Sequence, residues 1–342
     1  MNIIKVLAIS TVAFAAISCQ SKMDADPSYD KDMATATITV LAPSQIGTKT
    51  SVADDQAAVG DGLAADNLVL AVFDAKGNEL ASQRQGDWVN GIGAEGEIIF
   101  SNDTQPQVQV TLKLVRGHVY SIVCWAQNKA ASCYDFKDMK AISVDYSVYN
   151  TSNNDLRDAF YAYTQTVKVT EDFTQTITLE RPFAQINVGT ADFDAAEAAG
   201  VEIDDLYSAM TIKNVPSVLE TFTGTVNTPV DVTFASAHAL SPDFNLVIDE
   251  NKVVNDPKVA IAAEYGWLGM NYILVGKSDE AENFEVSVEV REGENDVITE
   301  FDVPNVPVKR NHRTNIVGEL LTSGGTIDIV IDPIFTDEIL HQ

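Results

Sequence analysis

The residue types best suited to chemistry are thinly spread in this chain. Its four histidines, His118, His238, His312 and His341, lie far apart, and none stands beside a nucleophile motif. Covalent catalysis needs a serine, cysteine or threonine within hydrogen-bond reach of a positioned base. His118 follows Arg116-Gly117 ahead of a strand, His238 lies in a Ser/Ala-rich stretch, and His341 is next to last. Structural or exposed roles account better for all of them. Glycoside hydrolysis asks for two carboxylates tuned apart across a cleft. With 50 acidic residues in the chain, neighbours such as Asp54-Asp55 or Asp204-Asp205 are what a solvated acidic face produces by chance. Asp24-x-Asp26, Asp30-x-Asp32 and Asp192-x-Asp194 offer oxygens that suit calcium, yet none completes the twelve-residue loop. Cysteines and histidines this scattered do not make a zinc site, and no glycine-rich phosphate fingerprint occurs. The reading is a non-enzyme with no cofactor and no metal.

Four other positions carry chemistry of a different kind. Cys19 ends the run Ala16-Ile17-Ser18-Cys19. Before it, Lys5 gives a positive start and Val6 to Ile17 an apolar stretch. That stretch is shorter than the roughly 20 residues a bilayer span needs, and it fits the core of a secretory signal. Small residues ahead of a cysteine are what a lipoprotein signal peptidase accepts, after which the thiol carries diacylglycerol. Residues 1–18 are therefore read as a signal peptide and Cys19 as the lipidated residue. Cys124 and Cys133 sit in VCWAQNKAASCYDF. Outside the cytoplasm they are candidates for a disulfide closing a short loop. The equal alternative is a buried strand cysteine and an unrelated loop cysteine. Trp88, in Gln85-Gly86-Asp87-Trp88, reads as a loop aromatic. It either caps a sandwich or offers a platform for a sugar, and it is the candidate ligand contact.

The elements that hold these residues follow a period of two. Val108, Val110, Leu112 and Leu114 alternate with polar residues, as do Phe284 to Val290 and Ile327, Ile329 and Ile331. Alternation of that length marks half-buried strands. Leu68–Phe73, Val119–Trp125 and Tyr272–Val275 are continuously apolar and read as strands buried on both faces. Gly, Asn and Asp punctuate between strands, as at Lys76-Gly77-Asn78. Helical signal is thin: Asp192 to Gly200 fits one short helix, and Tyr149 to Ala162 could hold a turn or two. No βαβ alternation occurs. The fold class is all-β, with two sandwiches in tandem and few short helices.

The chain has 342 residues, 45% of them hydrophobic, enough for two domains with real cores. A polar acidic tether spans 19–33. One sandwich is placed at 34–180 and a second at 181–322, with a boundary near Glu180-Arg181-Pro182. A tail at 323–342 carries one more strand, which completes the second sandwich or reaches a neighbour. The formal net charge of −28 leaves no basic face for nucleic acid.

Several segments resemble the fimbrillin-like proteins of Bacteroidales. Lys309-Arg310-Asn311-His312-Arg313-Thr314-Asn315-Ile316-Val317-Gly318, followed by Leu320-Leu321-Thr322, is similar to a signature near the end of that family's second domain. Arg181 to Val188 resembles the strand that opens that domain, and Thr211–Val226 and Gly269–Val275 resemble elements between the two. The acidic stretch after Cys19 loosely resembles the surface-export signal of Bacteroides lipoproteins. The resemblance implies two transthyretin-like sandwiches and a place in a type V pilus, at the outer membrane or in the fimbrium. A protease would remove the tether with the first strand, and a strand of another subunit would fill the groove. Partners would be other fimbrial subunits, the outer membrane through the lipid, and a host or bacterial surface ligand. The chain departs from the family in having no arginine between Cys19 and Arg84, so Lys49 is the candidate processing site. Arg310 and Arg313 are expected to pack the closing strand.

Overall fold

The computed structural model describes residues 32–41, 65–86, 88–89, 92–93, 98–99, 107–152, 154–166, 168–236, 240, 245–247, 264–293, 296–322 and 327–332. Nearly all of them are strand or turn. In chain order the strands are β1 (Met33–Leu41), β2 (Asn67–Phe73), β3 (Trp88–Val89), β4 (Ile92–Gly93), β5 (Ile98–Ile99), β6 (Gln107–Val115), β7 (Ser121–Gln127), β8 (Tyr134–Asp135), β9 (Ala141–Val144), β10 (Ala159–Gln165), β11 (Phe173–Thr178) and β12 (Phe183–Thr190). The helix α1 (Phe193–Ala198) follows. Then come β13 (Leu206–Glu220), β14 (Thr225–Ala235), β15 (Asn245–Val247), β16 (Glu264–Leu274), β17 (Glu282–Glu292), β18 (Asp296–Val308), β19 (Arg313–Gly318) and β20 (Ile327–Asp332). No described helix is long and apolar enough to cross a membrane.

Four sheets carry the fold. The first has the order β11-β1-β6, the second β10-β7-β2-β5. The third is β15-β16-β12-β19-β20. The fourth is β18-β17-β13-β9-β8, with β14 added to the far edge of β13. The apolar runs explain the layering. Along β2 every residue is buried, as along β7. Leu68, Leu70 and Val72 join Ile122, Cys124 and Ala126 in a core beneath the first sheet. The intervening residues Val69, Ala71 and Phe73, with Val123 and Trp125, face the opposite way, into the core formed by the third and fourth sheets. A strand buried on both faces reads as unbroken hydrophobicity, and that is why the period of two vanishes here. The second sheet is thus a middle layer that belongs to two cores.

The fourth sheet also draws on residues well ahead of Glu180. Strands β8 and β9, at residues 134–144, pair in the fourth sheet, with Ser143 opposite Val218. The stretch from Tyr149 to Ala162 holds one 3-10 helical turn at Asp155–Arg157, within the turn or two expected there, and then becomes β10. The short helix after Asp192 is present as α1.

Buried charge stitches the junction. Arg181 donates from Nε and Nη2 to both oxygens of Asp158, at 2.6 and 2.7 Å. Both side chains are essentially closed to solvent. Such pairing is required where charge leaves water. Arg157 lies over the ring of Phe234 at 4.2 Å and donates to Asn271 Oδ1 at 3.0 Å and to the Tyr149 carbonyl. Burial pulls its guanidinium down to about 10.

Candidate functional site

Strand β1 is the element whose position can do most. It is the centre of its sheet, antiparallel to β6 on one side and parallel to β11 on the other. Alternation in Met33–Leu41 sends Ala34, Ala36, Ile38 and Val40 inward, each with no exposed surface. Its rungs are complementary in size. Ala36 lies between Leu112 of β6 and Phe173 of β11, Ile38 between Val110 and Gln175, and Val40 between Val108 and Ile177. Ala34 lies opposite Leu114. Small side chains thus fill the half of the slot where the neighbours are large, and larger ones the half where β6 presents valines.

Polar contacts hold the ends and the outer face of the strand. The Thr35 amide donates to Asp172 Oδ1 at 3.0 Å, and Lys113 Nζ reaches Thr35 Oγ1 at 2.8 Å. Arg116 Nε donates to the Met33 carbonyl at 3.1 Å, and the Leu179 amide to the Leu41 carbonyl at 3.0 Å. If β1 were withdrawn, β6 and β11 would face each other across an apolar slot with two unpaired backbone edges.

The last described strand sits differently. β20 lies at the edge of the third sheet beside β19, and Ile329 is exposed. The chain just before it is fastened by Asp192. Its carboxylate accepts from the amides of Leu320, Leu321 and Thr322 at 3.1, 3.1 and 2.7 Å, from Thr322 Oγ1 at 2.7 Å, and from the Thr190 hydroxyl. Burial alone would push this carboxyl up, but the donors outweigh it and hold the pKa below the ordinary carboxylate value.

The residues singled out from sequence do not converge. Cys19 and Lys49 lie outside the described residues. Cys124 and Cys133 are free thiols, not a disulfide. The reason is geometric: Cys124 points from β7 into the core under the first sheet, while Cys133 belongs to the other core. Burial pushes both thiols up, Cys133 to about 12. Trp88 is in the two-residue strand β3, paired with Gly93 of β4, and not in an open loop.

The arginine-rich motif packs as expected. Arg310 donates from Nε to the Arg181 carbonyl at 3.0 Å and lies over Tyr161 at 4.7 Å. Arg313 is 3% exposed on β19. His312 is half-buried against the Arg310 carbonyl, and burial lowers its pKa. Among the described residues no three His, Cys, Asp or Glu side chains are grouped to hold a metal. Sequence reasoning missed the Asp158–Arg181 pair and the Asp192 clamp. The Asp192 clamp had one local signal, a Thr-x-Asp ahead of a short helix.

A family model described as a family of unknown function, DUF6562, matches residues 29–342. The chain belongs to that family. No curated protein matches this DUF6562 chain. Solved structures similar to it include a fimbrial assembly protein from Parabacteroides distasonis, 13% identical, covering 88% of this chain and 99% of that one, with a TM-score of 0.42. The tip fimbrial protein Mfa3 from Porphyromonas gingivalis is 12% identical over 88% of this chain and 99% of its own, with a TM-score of 0.44. The fimbrial anchor protein Mfa2 of the same organism is 10% identical, with 87% and 97% covered and a TM-score of 0.42.

Proposed function

We propose that this DUF6562 chain is a structural or accessory subunit of a cell-surface fimbria. In this reading it is exported as a lipoprotein on Cys19, anchored at the outer membrane, joined to neighbours by strand addition and used in adhesion. One observation carries the proposal: the chain contains the pattern of its own first strand twice. Inward positions Ala34, Ala36, Ile38 and Val40 run small, small, large, large. Ser323, Gly325, Ile327 and Ile329 repeat that order in the same direction, and the latter two lie on the edge strand β20. A strand of this composition, supplied by another subunit, satisfies the backbone edges and the size rungs that β1 now fills. An edge strand is also the cheaper one to release, since it breaks one ladder and not two.

The absence of arginine between Cys19 and Arg84 favours a second reading. There the strand is retained, the lipid stays, and the protein is a non-polymerising surface lipoprotein that binds a glycan or a host protein.

Mass spectrometry of the mature protein from native envelopes separates the two. An N-terminus at Thr50, directly after Lys49, or elsewhere beyond β1, supports strand addition. An acylated Cys19 on an intact chain overturns strand addition into this groove and leaves a fimbrial anchor or the second reading.

A further inference from the structure

The outward face of the fourth sheet carries a depression of about 940 Å³ that no feature of strand addition uses. Its floor comes from strand register. Ala209 on β13 is opposite Ala235 on β14 and opposite Glu289 on β17. Two alanines side by side on a sheet face leave a hollow where longer side chains would stand. One rung away, Tyr207 is opposite Arg291, and on the other side Thr211 is opposite Thr233, their hydroxyls 2.9 Å apart. The hollow therefore has an aromatic wall at one end, a hydroxyl rim at the other, and a carboxylate and guanidinium along one side.

Two properties set the ligand class. Tyr207 is 37% exposed, as is Tyr163, whereas most aromatic rings among the described residues are buried. Its partly exposed side chain lines the depression, where an aromatic ring can take the C–H face of a sugar while nearby polar groups take the hydroxyls. Charge then decides which sugar. Arg291 Nε donates to Glu289 Oε1 at 2.5 Å, so its charge is met within the site. Asp205 adds a further carboxylate at the rim, on a protein of formal net charge −28. That balance repels anionic ligands.

We infer that the Tyr207–Ala209–Glu289 depression binds a neutral oligosaccharide, with Tyr207 as the stacking platform. This names a ligand class and a place for adhesion, and it holds whether or not β1 is exchanged.

The test uses the purified full-length chain titrated with maltohexaose, mannotriose and galactotriose, with sialyllactose as the anionic comparison. Binding is read by calorimetry. The expected result is binding of at least one neutral sugar, at least tenfold tighter than sialyllactose. Tyr207→Ala lowers that affinity at least tenfold, and Ala209→Arg, which fills the floor from an outward position, abolishes it. Both variants keep the wild-type unfolding midpoint, and Trp88→Ala binds as wild type. Failure of all three neutral sugars overturns the inference, as does wild-type binding by both site variants or equal binding of sialyllactose. None of these outcomes touches the mature N-terminus, so the inference and the fimbrial reading fail separately.

Discussion

Replacing Ile38 by alanine tests whether β1 is the packed centre of its sheet. The side chain has no exposed surface and lies between Val110 and Gln175. Truncating a fully buried isoleucine costs about 2–5 kcal/mol, the upper part applying where neighbours cannot collapse. Strands β6 and β11 hold β1 from both sides through backbone ladders, so collapse is restricted and about 3–4 kcal/mol is expected. With a urea dependence of about 1–3 kcal/mol per molar, the midpoint falls by roughly 1–4 M. Thr39→Ala, one residue along on the outer face, should change stability by no more than about 0.5 kcal/mol. Ala36→Ile, which adds bulk between Leu112 and Phe173, should cost about 1–3 kcal/mol by overpacking. Urea unfolding followed by tryptophan fluorescence reads all three. An Ile38→Ala midpoint within error of wild type would refute the rung geometry and with it the groove.

Three further expectations follow from other sites. Asp158→Ala strands the buried Arg181 guanidinium and should cost about 3–5 kcal/mol, whereas Asp158→Leu with Arg181→Met should recover most of that; thermal unfolding of the set decides it. The Asp192 carboxyl has a lowered pKa in the folded chain, so its contribution is present above the ordinary carboxylate pKa and is lost as pH falls through the folded value. Protection of the Leu320, Leu321 and Thr322 amides, taken relative to their intrinsic exchange rate at each pH, should therefore fall once the pH is below the ordinary carboxylate range and be unchanged between pH 6 and 8. Cys124 and Cys133 should resist iodoacetamide in the folded protein, because burial raises both thiols, and both should react once the chain is unfolded without reductant. A mass showing neither modified would restore the disulfide.

Local pattern carried much of this fold. β6 and β17 were legible because one face of each is solvated, so alternation survives in the letters. The runs of β2 and β7 were legible as doubly buried strands, though not what lies on either side of them. The crossing of β8 and β9 into the fourth sheet leaves no local trace, since it is decided by a pairing with β13 some 75 residues later. The buried arginines were hidden for another reason. A guanidinium is normally solvated, and only the tertiary arrangement of Asp158 against Arg181 makes burial tolerable. The hollow beside Tyr207 depends on Ala209 and Ala235 meeting across a hairpin with a register shift, and no window of sequence shows that.

The middle sheet has a mechanical consequence. Its strands β2, β7 and β10 contribute alternate side chains to two cores, so neither unit can slide or peel from the other without shearing both packings at once. Among the described residues a body built this way has no soft joint between its two cores. The two cores therefore share one fate: opening either exposes a face of the same sheet and unsettles the other.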